Sequence, residues 1–291
     1  MMSVDIPADS ALIGPNRALR RFLRRNRLIL AGGVILIILI AMAISGPRWV
    51  GDPLAPDPFA RLQGPSSVFW LGTDNLGRDI LARTVYGARV SLVVGLASAI
   101  VTILAGLLIG LATGLGHRFD AVAMRMMDGI MAIPTILLAI ALVSLTRGGV
   151  NILVVAISIP QIPGVARLVR SVILTTRERP YVEAAFCAGA SVVRVLRRHI
   201  LPSTIAPLMV QSAYVCANAM LIEAGLSFLG AGVPPEIPSW GNMIAESRVY
   251  LSIVPWMAFA PGICLSTMIL GVTLLGDGLR KFFDPRERAG R

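Results

Sequence analysis

The sequence predicts an all-α integral membrane protein of about six transmembrane helices, and three observations carry that prediction. Of its 291 residues, 55% are hydrophobic and only 15% are charged, at a mean hydropathy of +0.75. A soluble domain of this length cannot hide so much apolar surface. Uncharged apolar runs of bilayer-spanning length recur along the chain, parted by short polar or Gly/Pro-rich segments. The formal charge of +11 is gathered beside those runs, a distribution that sets membrane orientation and does not suggest a nucleic-acid site. The 3 cysteines and 2 histidines are scattered, which argues against a disulfide framework and against a metal cluster.

Residues 1–27 are polar and then basic, with Arg17, Arg20, Arg21, Arg24, Arg25 and Arg27. The uncharged run 28–45 follows as the first span. A cleaved secretory signal is the rival, but both the run and its basic lead-in are longer than a signal requires. Residues 46–89 form a Pro-rich extramembrane segment. At its end, Leu76, Ile80 and Leu81 share a face from a cap at Thr73 or Asn75. Asp79 and Arg83 stand at i,i+4 there, so the spacing predicts a short amphipathic helix at the membrane surface.

Residues 90–276 hold five further spans, at 90–116, 121–146, 150–166, 203–228 and 252–276. Gly95, Gly106 and Gly110 lie in the second, and the last two form a small-xxx-small pair for close helix packing. Pro134 is expected to kink the third, and Pro160 with Pro163 to break the fourth. Gln211, Asn218 and Glu223 lie in the fifth. Polar groups in a membrane helix are costly, so these three are candidates to line a translocation path. For Glu223 contact with a cationic group such as a peptide amino terminus competes with a favoured second reading: about five residues from the outer edge, it is hydrated or paired inside the bundle.

Between the fourth and fifth spans, residues 176–202 form an Arg-rich island, TRERPYVEAAFCAGASVVRVLRRHILP. Pro180 suits a first helical turn, Gly189 a left-handed reversal, and Ser191 the cap of a second helix that Pro202 would stop. Such a helix–Gly–helix elbow could dock a soluble partner or be only a solvated loop. With the N-terminus inside, the inner segments hold 20 of the chain's 27 basic residues. The positive-inside rule therefore puts both termini, the tail 277–291 and the elbow in the cytoplasm. It puts 46–89 and the Gly/Pro-rich loop 229–251 outside.

The elbow's Glu183, Ala184, Ala185 and Gly189, with Leu201 and Pro202 at its far end, resemble the EAA loop of ATP-binding-cassette importer permeases. His199 stands where most of that class carry Ile, and the ending His199-Ile200-Leu201-Pro202 looks like the peptide-importer branch. The stretch Leu71–Leu92, with Gly72, Thr73, Asp74, Gly77, Arg78, Asp79 and Arg83, is similar to the segment before the second span of the C-type dipeptide/oligopeptide/nickel permeases. GLSFLG at 225–230, PSWG at 238–241 and the ending from Leu275 to Arg286 resemble the same family.

The resemblance implies a type I importer permease in a bacterial plasma (inner) membrane, moving dipeptides or oligopeptides inward. Its elbow would be the coupling helix for the ATPase, through Glu183, Ala184, Ala185, Gly189, His199, Leu201 and Pro202. Implied partners are a B-type permease in a heterodimer, one or two ATPase chains or a fused one, and an extracytoplasmic peptide-binding protein, all assembled in the lipid membrane. No cofactor, metal or nucleic acid is expected on this chain. Lys281 is the single lysine and follows Arg280, so no GxxxxGK[ST] phosphate loop exists; ATP and Mg²⁺ would belong to the partner ATPase. An intramembrane hydrolase using Ser227 would need a base within hydrogen-bond reach, and both histidines fall on the cytoplasmic side while Ser227 lies near the outer face. Neither a passive channel nor a secondary transporter would need the elbow, and no internal half-repeat of the kind many secondary transporters carry is evident.

Overall fold

The computed structural model describes residues 26–115, 117–146 and 149–283. The basic stretch 1–25 and the ending 284–291 lie outside the described residues. Among those described the chain is all-α; one isolated antiparallel bridge joins Thr73 to Asp79.

Five helical stretches are long and apolar enough to cross a membrane, and one bent pair makes up to a sixth. Helix α1 (Arg27–Ser45) precedes the irregular segment 46–79, and α2 (Ile80–Leu115) returns. The third expected span is two helices, α3 (His117–Met131) and α4 (Thr135–Ser144), which meet at 90°. Pro134 cannot continue the backbone ladder and forces the residue before it out of the α region. The kink expected there is a right-angled break.

Helices α5 (Val150–Ser158) and α6 (Ile162–Arg177) form one crossing, joined by a 3₁₀ turn at Ile159–Gln161. Both prolines sit in first turns, so the helix is modulated and continues to Arg177 rather than ending near residue 166. The elbow comprises α7 (Pro180–Cys187) and α8 (Val192–Val195). A π turn at Leu196–Ile200 then feeds α9 (Leu201–Phe228). Pro202 therefore does not stop the second elbow helix. It occupies the first turn of α9, where its missing N–H is harmless, and 192–228 run as one stretch. The loop beyond carries α10 (Trp240–Ser247), and α11 (Trp256–Phe283) closes the chain.

The expected amphipathic helix over 76–83 is absent. Residues 71–79 fold as turns, with Gly72 at φ +72° and Gly77 at φ +78°, and helix begins only at Ile80. Asp79 does not pair with Arg83; its carboxylate accepts the Leu81 N–H at 2.9 Å and starts α2.

Small residues set the helix spacing. Gly106, Gly110 and Gly114 of α2 lie against Val165, Val169 and Ile173 of α6, a parallel register advancing four residues at a time. A Cβ on Gly110 would stand 2.6 Å from the Val169 Cβ. Gly95 gives the same access to Met220 of α9. Helix α1 rests on α11 through Gly32, Gly271 and Gly278; a Cβ on Gly32 would lie 2.6 Å from the Gly271 carbonyl oxygen. In lipid, such close approach replaces the hydrophobic drive that water supplies.

Candidate functional site

The elbow is built by local chemistry. Helix α7 ends as Ala188 N–H bonds the Ala184 carbonyl at 2.9 Å and Ala190 N–H bonds that of Ala185 at 3.0 Å. Gly189, at φ +81°, turns the chain between them. Ser191 holds the capping position with extended backbone, but its side chain makes no cap bond. Val182, Val195 and Ile200 are buried and seat the elbow on the bundle. The other face is open: Glu183, Ala184 and Gly189 are exposed, and Ala185 is half-buried. His199 stacks obliquely on Tyr181, ring centroids 5.7 Å apart, and so ties the two arms together. Leu201 is half-buried and Pro202 exposed. The side chains of Glu183, Arg194, Arg197 and Arg198 are exposed and without a partner among the described residues. An elbow that is anchored beneath and unpaired above presents a small-residue surface edged with charge.

At the opposite end of the bundle the residues of the 72–83 stretch form a buried clamp. Asp74 accepts from Arg78 Nε and from Arg83, both at 2.6 Å. Glu246 of α10 accepts from Arg78 at 2.8 Å and from Arg83 at 2.6 and 3.1 Å. Asp74 is fully buried and Arg83 is 1% exposed. Two cations facing two anions, with backbone N–H groups of Leu76 and Arg78 added to Asp74, satisfy most of the charge. Thr73 stitches the segment back to Ala60 and Gln63. Gly72 and Gly77 allow the turns, with Gly77 packed on the Asp57 backbone. Burial pushes the Asp79 carboxyl up from its ordinary value, against the opposing bonds from Leu81 and Ala82. Trp240, fully buried, donates to the Thr84 carbonyl at 2.8 Å and lies over Gly87. The stretch is thus the fastening between segment 46–89 and loop 229–251.

The polar residues of α9 separate into two groups. Glu223 is fully buried and accepts from Ser227 at 2.9 Å. Gly241 packs on Ser227 from the loop above, so Glu223 is bundle-paired and lines no open face. Asn218 is exposed and Gln211 half-buried. Asn218 donates to Gln161, on the 3₁₀ turn between α5 and α6, at 3.3 Å. Neither Gln161 nor Glu246 stood out in the sequence. A glutamine between two prolines is a signal that could have been weighed, whereas Glu246 becomes meaningful only beside Arg83, 163 residues away.

Among the described residues no group of His, Cys, Asp or Glu could hold a metal ion. Ser227 donates to Glu223, while His199 lies at the elbow end.

Residues 75–289 match the family described as binding-protein-dependent transport system inner membrane component. Residues 16–65 match the N-terminal TM domain of oligopeptide transport permease C. The probable peptide ABC transporter permease protein y4tQ of Sinorhizobium fredii is 62% identical over 271 residues, 93% of each chain. The dipeptide transport system permease protein DppC of Alkalihalophilus pseudofirmus is 37% identical, covering 95% of this chain and 92% of its own. The di/tripeptide transport system permease protein DppC of Pseudomonas aeruginosa is 37% identical, covering 96% and 95%.

Proposed function

Because the chain belongs to the binding-protein-dependent transport system inner membrane component family, we propose that it is the C-type permease subunit of an ATP-driven importer of di- or oligopeptides. The elbow carries this reading. It is exposed, seated on buried Val182, Val195 and Ile200, and turned by a left-handed Gly189. Its unpaired Glu183 and arginines offer a soluble partner both charge and close approach. The relatives' names supply the peptide cargo. In this reading both termini and the elbow face the cytoplasm of a bacterial plasma membrane, and the elbow sits in a groove on an ATPase subunit. A B-type permease completes the pathway, an extracytoplasmic binding protein delivers peptide to the clamp end, and ATP with Mg²⁺ is bound only by the ATPase. Closure of the ATPase domains moves the elbow as a rigid body and switches the access of the permease pair.

Purification of the tagged chain in mild detergent, with mass spectrometry of stoichiometric partners, tests this. Recovery of a second multi-span permease and a P-loop ATPase is expected. A double variant, Glu183→Arg with Ala185→Trp, should lose the ATPase and keep the second permease. Recovery of the chain alone after cross-linking, or retention of the ATPase by the double variant, overturns the reading.

A further inference from the structure

Helices α6 and α9 run antiparallel, and two polar contacts fix their register. Gln161 meets Asn218 at 3.3 Å, and Thr176 meets Ser203 at 3.1 Å. Each pair lies 15 residues from the other along both helices. At 1.5 Å per residue the strip between them is about 22 Å long. Along it, one face of each helix stays uncovered by this chain. On the 3₁₀ turn and α6 the face runs through Gln161, Gly164, Leu168, Ser171 and Thr175; on α9 it runs through Pro207, Gln211 and Asn218. All of these are exposed or half-buried. A Cβ on Gly164 would meet nothing within 4 Å. At the elbow end the strip opens into a cleft of about 260 Å³, lined in part by Val172, Thr175, Thr176, Arg179, Ser203 and Pro207.

The depth of the carboxamide pair decides what the strip faces. Gln161 lies about 16 Å of helix from Val150, and Asn218 about 15 Å from Phe228. Both are near the middle of a hydrocarbon core roughly 30 Å thick. Two carboxamides on the open side of membrane helices at that depth are tolerated beside protein or a water-filled cavity. Gln161 spends one N–H on the Ile157 carbonyl at 3.1 Å. The pair still keeps a free acceptor on Asn218 and N–H donors on both residues.

We propose that the α6–α9 strip is this chain's wall of the inner half of the translocation path, and that Gln161 and Asn218 at its head bind the backbone amides of a peptide in transit. This rests on the importer reading above. Carboxamides offer a donor and an acceptor without charge, which matches a peptide backbone whatever its side chains. A 22 Å strip accommodates about six extended residues. Arg179, at the cleft and without a partner among the described residues, meets the free carboxylate as the peptide leaves. Glu223, buried and bonded to Ser227, takes no part.

The test uses the intact transporter in native membranes. Cys187, Cys216 and Cys264 are replaced by Ala, and single cysteines are placed at Gln161, Gly164, Ser171, Gln211 or Asn218. A control cysteine at Ile263, exposed on the apolar outside of α11, serves as the lipid-facing site. A small water-soluble maleimide should label the strip positions and not Ile263, and trialanine should slow labelling at 161 and 218 about tenfold. In the wild-type background, Gln161→Leu and Asn218→Leu should each lower trialanine uptake roughly 10-fold or more, the scale of an unmet buried amide, with Asn218→Gln largely retained. Strip cysteines as inert as Ile263 would show that lipid or a partner helix covers the strip and would overturn the proposal. So would unchanged trialanine uptake by both Leu variants. Failure of the importer reading shows separately, as equal trialanine uptake by strains with and without this chain.

Discussion

Arg83 shows what a single side chain holds in place. It is almost wholly buried, bonded to Asp74 and twice to Glu246, and it joins the start of α2 to the loop helix α10. Arg83→Met removes one of the two cations that both carboxylates share, and breaking a buried pair from one side costs about 3–5 kcal/mol. Thermal unfolding in detergent should fall by many degrees for Arg83→Met. It should recover substantially in the double variant Arg83→Met, Glu246→Gln, which leaves the buried Asp74–Arg78 pair intact. An unchanged midpoint for Arg83→Met would mean that water reaches the clamp. The sequence makes Asp74, Arg78 and Arg83 visible as a motif but not as a clamp, because Glu246 is remote in the chain. The local alternative, Asp79 with Arg83 at i,i+4, is worth only a few tenths of a kcal/mol. It yields to two left-handed glycines and a fully desolvated partner. Gly106 and Gly110 are the opposite case: their four-residue spacing is itself the packing device, so it can be read directly.

Among the elements, the elbow tests how far backbone geometry governs coupling. Nothing lies within 4 Å of a Cβ built on Gly189, so a substitution there meets no clash and feels only φ +81°. Asn adopts that conformation readily, whereas a β-branched residue is strained by roughly 1–2 kcal/mol. Gly189→Asn should therefore support uptake near the wild-type rate. Gly189→Val should insert normally yet uncouple ATP hydrolysis from uptake; equal uptake by the two would remove the turn from the mechanism. Helix spans and the elbow were legible because hydropathy, Pro180 and Gly189 are local signals. The 90° break at Pro134 was legible only as a kink, since proline marks where a helix fails and neighbours decide the angle. Pro202 misled for the same reason: at a first turn it begins a helix as readily as it ends one.

For the whole molecule, orientation can be read from a native probe. Cys187 is exposed on the elbow and Cys216 is buried in the bundle. In the proposed orientation the elbow faces the cytoplasm, so an impermeant maleimide should label Cys187 in inside-out vesicles and leave it untouched in intact spheroplasts. A cysteine at Trp70, highly exposed at the clamp end, should show the reverse. Labelling of Cys187 from outside would invert the topology and with it the import direction. The overall architecture was the most legible layer, because bilayer thickness restricts each crossing to long apolar helices. The register between α6 and α9 was not, since it depends on contacts between separate crossings.

The π turn at Leu196–Ile200 splices the elbow into α9 with no loop between them. A π turn holds one residue more than the α-helix around it. Tightening it to α geometry would twist everything beyond it by about 100° and advance it by about 1.5 Å. A push on α7 and α8 that closed the splice would therefore swing Gln211 and Asn218 out of line as a unit.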